Sequence, residues 1–119
     1  MATKAYTANA QALIDHAIYT WSLANGDDGA PCGYDGSGSR TAQVFGTFGA
    51  GGTLVWEGSL DGGTTWATLN DLGGTALSHT SAALKGVRED PPLVRPRVTA
   101  GDGTTALTAI LAIRKRWSS

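Results

Sequence analysis

The sequence predicts an all-β chain: an antiparallel β-sandwich or jelly roll of about seven or eight strands, with an extended or short helical N-terminal arm. Three observations lead there. Short apolar/polar alternations at period two recur along the chain. Glycine- and aspartate-rich turns separate them, and glycine makes up 17 of 119 residues, about twice the usual share of roughly 7%. Neither a βαβ alternation nor a fixed-period repeat accompanies them. The length suits one domain, divided into an arm (1–16), a β body (17–114) and a basic tail (115–119).

Residues 1–16 are alanine-rich, with Leu13 and Ile14 as the large aliphatics; the segment fits a short helix or an extended arm equally well. In Ala17 to Leu23, Tyr19, Trp21 and Leu23 share one side and Thr20 and Ser22 the other, which predicts a half-buried strand. Asn25 to Ser39 reads as a long loop punctuated by Asn25-Gly26, Asp28-Gly29, Asp35-Gly36 and Ser37-Gly38; loops of that length are often functional. Thr41 to Phe48 is a second strand, and Gly49-Ala50-Gly51-Gly52 a tight turn that needs positive φ. Thr53 to Leu60 follows, with Leu54, Trp56 and Leu60 assigned to one face and Glu57 and Ser59 to the other.

Asp61-Gly62-Gly63 turns the chain into a return strand, Thr64 to Leu69, carrying Trp66. Lys85 to Glu89 reads as a short edge strand. Leu93 to Thr99 puts Val94 and Val98 inward and Arg95 and Arg97 outward; Pro96 has no N–H to donate, which places this strand at an edge or bulge. Thr104 to Ile113 is the last strand, with Leu107, Ala109, Leu111 and Ile113 on one side.

Composition narrows the function. Nine Lys and Arg against ten Asp and Glu give a net charge of -1, which speaks against a nucleic-acid binder, whose domain would be basic. Charged residues are only 16%, below the roughly 25% of soluble proteins; a surface of Thr, Ser, Ala and Gly suits a protein packed against neighbours. Charge is uneven along the chain: residues 1–84 hold two bases and seven acids, residues 85–119 seven bases and three acids. A bipolar chain can attract copies of itself or a partner of opposite sign. No apolar run is long enough to span a membrane. The N-terminus lacks the apolar run of a signal peptide, so synthesis in a cytoplasm without Sec export is expected.

The residue inventory offers no reaction. His16, His79 and Cys32 are the only imidazoles and thiol; no Gly-x-Ser-x-Gly elbow and no His-x-x-x-His pair is present. Asp27, Asp28 and Asp35 would be the best calcium ligands, but Asp before Gly is ordinary turn chemistry. The glycines of 46–52 join strands and open no helix, unlike a phosphate cradle. No enzyme activity, cofactor, metal or small-molecule substrate is expected. Trp21, Trp56 and Trp66 suit a core; exposed, they or Tyr34 would stack on sugar rings. Trp117, after Arg114-Lys115-Arg116, suits an interface.

One resemblance spans residues 17–114. It is carried by Gly46-Thr47-Phe48-Gly49-Ala50-Gly51-Gly52-Thr53-Leu54, by Glu57-Gly58-Ser59-Leu60-Asp61-Gly62-Gly63-Thr64-Thr65-Trp66, by Leu69-Asn70-Asp71, and by Val94-Arg95-Pro96-Arg97-Val98-Thr99-Ala100-Gly101-Asp102-Gly103-Thr104-Thr105. These segments resemble small virion proteins of tailed bacteriophages, the capsid decoration or cement proteins, which are jelly rolls seated as trimers on the shell. The resemblance implies a homotrimer on the outer capsid surface that bridges major capsid protein subunits. Tyr6, Leu13 and Ile14 of the arm, and Arg114, Lys115, Arg116 and Trp117 of the tail, are the expected contacts. Arg95 and Arg97 would pair with acidic capsid residues or with Glu57 and Asp61 of a sister chain. A neck, tail or head-fibre component remains an alternative. The Ser59-x-Asp61-Gly62…Trp66 piece also resembles carbohydrate-binding discoidin-type jelly rolls, which keeps a glycan-binding module open.

Overall fold

A computed structural model describes residues 3–13, 16–33 and 39–114, and these form twelve strands and no helix. In chain order they are β1 (Thr3–Lys4), β2 (Thr7–Leu13), β3 (His16–Ala24), β4 (Asp28–Gly29), β5 (Cys32–Gly33), β6 (Arg40–Thr47), β7 (Thr53–Ser59), β8 (Ala67–Thr68), β9 (Ser78–His79), β10 (Ala83–Val87), β11 (Leu93–Ala100) and β12 (Ala106–Arg114). One sheet has five strands in the order β10-β6-β12-β3-β2. The other has seven: β1-β4-β11-β7-β8, with β5 also on β11 and β9 also on β7. The architecture is all-β and β-sandwich-like, with the apolar core between the sheets.

The alternations do the building. Trp21 and Leu23 of β3, Val44 of β6 and Leu107, Ala109, Leu111 and Ile113 of β12 face the core from the five-stranded sheet. Leu54 and Trp56 of β7 and Val94 and Val98 of β11 meet them from the other. Trp21 and Trp56 touch edge to face across the sheets, with ring centroids 5.8 Å apart. Gly29 lets this contact close: a Cβ there would lie 2.6 Å from Pro96 and 2.9 Å from the Trp21 ring.

Several expectations need correction. The strand count exceeds eight because two-residue strands such as β4 and β5 are too short to show a period. They occupy the stretch read as one long loop, and pair with β11. Of the two alternatives for the arm, the described part takes the extended one: β2 pairs antiparallel with β3, and β1 parallel with β4. Pro96 is in the interior of its sheet, between β7 and the β4/β5 side. It is tolerated because its nitrogen points the same way as that of Val98, which donates to the Asp27 carbonyl. There, β11 pairs with Cys32 and Asp28 only on either side of Pro96. Leu60 is 81% exposed rather than inward, since β7 ends at Ser59. Trp66 lies in the loop before β8, not in a strand.

Turn carboxylates lock the connections. Asp61 accepts hydrogen bonds from the Thr64 and Thr65 amides and the Ser59 hydroxyl. Asp102 accepts from the Thr104 amide and hydroxyl and from the Ala50 amide of the β6–β7 turn. The Thr65 amide foremost holds Asp61 at a pKa of about 2, and the Thr104 hydroxyl foremost does the same for Asp102. Folded values below the ordinary 3.8 mean that this stabilisation is complete above about pH 4 and is lost as pH falls towards 2. Urea unfolding followed by tryptophan fluorescence at pH 6 and pH 2 checks this. Asp61→Asn and Asp102→Asn should be less stable than wild type at pH 6, with the gap closing at pH 2. An equal gap at both pH values would refute the role of the charge.

Candidate functional site

Two sheet faces look outward, and their chemistry differs. On the seven-stranded sheet, Glu57 of β7 stands opposite Arg95 of β11. Arg95 Nε donates to Glu57 Oε1 at 3.0 Å, and its guanidinium lies 3.7 Å from the Asp28 carboxylate of β4. Arg97 Nε is 3.3 Å from Glu57 Oε2 without hydrogen-bond alignment. The Arg95 guanidinium also stacks 4.2 Å from the Trp66 ring centre, and Trp66 donates its Nε1–H to the Gly63 carbonyl. Glu57 is only 5% exposed, so this is a half-sunken ion cluster of two bases and two acids.

On the five-stranded sheet, strand register aligns the outward residues in rows. Leu84, Gln43, Ile110, Thr20 and Thr7 form one row across all five strands. Beside it run Gly86, Thr41, Ala112 and Ile18, then Phe45, Thr108 and Ser22, then Thr47, Ala106 and Ala24. None of these is Asp, Glu, Lys or Arg. Leu72 reaches over Gly86, where a Cβ would come within 2.8 Å of it. Phe45, Leu72 and Leu84 are three of the four large hydrophobics that are exposed among the described residues. These four rows present hydroxyls, methyls and aliphatic chains, and the exposed Arg114, of the same parity at the end of β12, stands at their margin.

The chain matches no known family model and no curated protein sequence.

The residues singled out from sequence fall in different places. Tyr6 is half-buried and packs on Tyr19 (5.3 Å) and Trp21 (5.5 Å) at the core's margin. Arg95 and Arg97 meet Glu57 within their own chain, and Asp61 is taken up by its own turn. Arg114 is exposed at the end of β12, its amide bonded to the Ser39 carbonyl. Leu13 pairs with His16 through the backbone at the β2–β3 end. Ile14, Lys115, Arg116 and Trp117, together with Tyr34 and Asp35, lie outside the described residues.

The remaining chemical candidates are absorbed by the fold. Asp27 is 5% exposed; it accepts from the Ala24 amide at 2.8 Å and lies 3.9 Å from Lys4 Nζ. Among the described residues, no three His, Cys, Asp or Glu side chains converge. Cys32, expected in a loop, lies in β5 and is fully buried. Burial pushes its thiol up to about 12, against an opposing hydrogen bond from Tyr19, so it stays protonated and unreactive at neutral pH. Sequence reading missed Arg40, a buried base at the start of β6 whose guanidinium meets Asp90 and the Glu89 carbonyl. Glu89 in turn accepts from the Asn70 amide and side chain. The signal was only that Arg40 shares the inward parity of Ala42 and Val44.

Proposed function

We propose that this chain is a capsid decoration protein of a tailed-bacteriophage virion. In this reading it is a jelly-roll body without enzymatic activity that adheres to major capsid protein subunits on the outer head surface. The observation that carries the reading is the block of four uncharged rows on the five-stranded sheet, bordered by Arg114. A contiguous surface of this kind, with large apolar side chains exposed, is what an assembly covers. The body behind it is suited to the task, since its turns are pinned by their own carboxylates and its arginines are paired within the sheet. The resemblance of residues 17–114 to cement proteins supplies the kind of assembly. Weak contacts repeated over several shell subunits sum to firm attachment.

Quantitative mass spectrometry of purified virions tests the reading: hundreds of copies per particle are expected, whereas a handful would indicate a neck or tail component. Particles lacking the chain should release DNA at a lower temperature than decorated ones. Equal heat stability of the two would remove the stabilising role.

A further inference from the structure

We infer that Asn25 is a site of self-modification: the amide nitrogen of Gly26 displaces the ammonia of the Asn25 carboxamide, and the cyclic imide that results opens to aspartate or isoaspartate. The inference goes beyond the capsid reading and does not depend on it, because the chemistry is followed on the isolated protein.

The setting is the turn between β3 and β4. The Asp27 amide donates to the Ala24 carbonyl at 3.1 Å, which leaves Asn25 and Gly26 as the two central residues. Gly26 has a φ of 79°, the positive value a type II turn requires at its second central position. Three features favour the reaction. Asn25 is exposed, and its carboxamide lies in the open beside the β11–β12 connection, where a Cβ on Gly101 would be 3.3 Å from Asn25 Oδ1. Neither that carboxamide nor the Gly26 amide has a hydrogen-bond partner among the described residues. Gly26 has no Cβ, so no side chain shields its nitrogen as Asn25 rotates about its Cα–C bond to bring Cγ against it.

The step balances with water as the only co-reactant. Solvent base takes the Gly26 amide proton, the nitrogen bonds to Asn25 Cγ, and the Cγ–Nδ2 bond breaks with ammonia as the leaving group. Water then cleaves one of the two C–N bonds of the imide. Cleavage at Cγ leaves aspartate on the original backbone. Cleavage at the main-chain carbonyl leaves isoaspartate, whose backbone runs through Cβ and Cγ and is longer by a methylene.

The other two asparagines are closed to this chemistry. Asn70 donates its Nδ2 to Glu89 Oε2 at 2.8 Å, and the nitrogen that would attack it, the Asp71 amide, donates to the Thr75 carbonyl at 2.7 Å. Asn9 lies within β2 and is followed by Ala10, whose Cβ crowds the attacking amide.

The turn also seats its neighbours. Asp27 accepts from the Ala24 amide through its carboxylate and from the Val98 amide through its carbonyl, and it lies 3.9 Å from Lys4 Nζ. Asp28 and Gly29 follow and pair with Thr3 and Lys4 of β1. A methylene inserted at position 25 displaces this group, so the isoaspartyl chain should hold β1 less firmly.

The test is incubation of the full chain in warm, mildly alkaline buffer, followed by peptide mapping with mass spectrometry and an isoaspartate-specific assay. Asn25 should convert to a mixture of aspartate and isoaspartate while Asn9 and Asn70 stay intact, and Gly26→Ala should lose the conversion over the same period. If circular dichroism shows Gly26→Ala to be unfolded, Gly26→His, a residue more tolerant of positive φ, replaces it. An intact Asn25, faster conversion at Asn9 or Asn70, or a folded Gly26 variant that converts as fast as wild type would each overturn the inference. The isoaspartyl fraction, separated by ion exchange, should be cut by trypsin after Lys4 sooner than the unmodified chain; cutting at an equal rate would overturn the link to β1. None of these results bears on copy number in virions, so the two readings fail separately.

Discussion

Trp21→Ala is expected to lower the unfolding free energy by about 3–5 kcal/mol, the range for deleting a buried aromatic ring. Three contacts place it at the top of that range. The ring is fully buried, it meets Trp56 and Tyr6 edge to face, and its Nε1–H donates to the Ala30 carbonyl at 3.0 Å. That hydrogen bond runs from β3 of one sheet to the segment joining β4 and β5 of the other, so the substitution opens a cavity and leaves a carbonyl without its donor. Trp56 provides the comparison. It is as deeply buried, but its Nε1 has no hydrogen-bond partner. Trp56→Phe should therefore cost less than Trp21→Phe, because only the latter strands an acceptor. Urea unfolding of the three variants checks the order; a Trp56→Phe variant less stable than Trp21→Phe would contradict it.

Glu57→Ala should destabilise by about 2–3 kcal/mol, somewhat below the range for breaking a fully buried pair because Arg97 keeps partial access to water. The loss arises mainly from the bases left behind. The Arg95 side chain is 17% exposed and keeps Asp28, at 3.7 Å, as its one acid, beside the Trp66 ring, while Arg97 loses its nearest acid. Glu57→Gln, which retains an acceptor oxygen, should fall between wild type and alanine. Chemical denaturation at low and moderate salt provides the check. A Glu57→Ala variant within about 0.5 kcal/mol of wild type would mean that the cluster behaves as an ordinary solvated ion pair.

What the sequence disclosed depended on whether a strand had one wet face. β3 and β12 were readable because Tyr19, Trp21 and Leu23, and Leu107 to Ile113, alternate against small outward residues. β7 was harder: Val55 and Glu57 on its outer face are buried along with Leu54 and Trp56, so alternation gave no boundary and Leu60 was drawn inward. β4 and β5 consist of two residues each, below any period. The uncharged rows were legible only in fragments. Ala106, Thr108, Ile110 and Ala112 are a visible stripe on one strand, but their meaning comes from register with Thr20, Gln43 and Leu84, which lie far away in the chain. The arginine cluster had the same difficulty, since Arg95 and Glu57 are 38 residues apart.

The bond from the Ala50 amide to Asp102, backed by the Thr105 hydroxyl on the Phe48 carbonyl, joins two segments that each cross between the sheets. β6 leaves one sheet for β7 of the other, and β11 returns to β12, at the same end of the molecule. Riveting the two crossings together gives that end a shear joint: a tangential force on one layer is passed to the other through backbone and carboxylate, without the layers sliding. Pulled from that end, the molecule should yield elsewhere first.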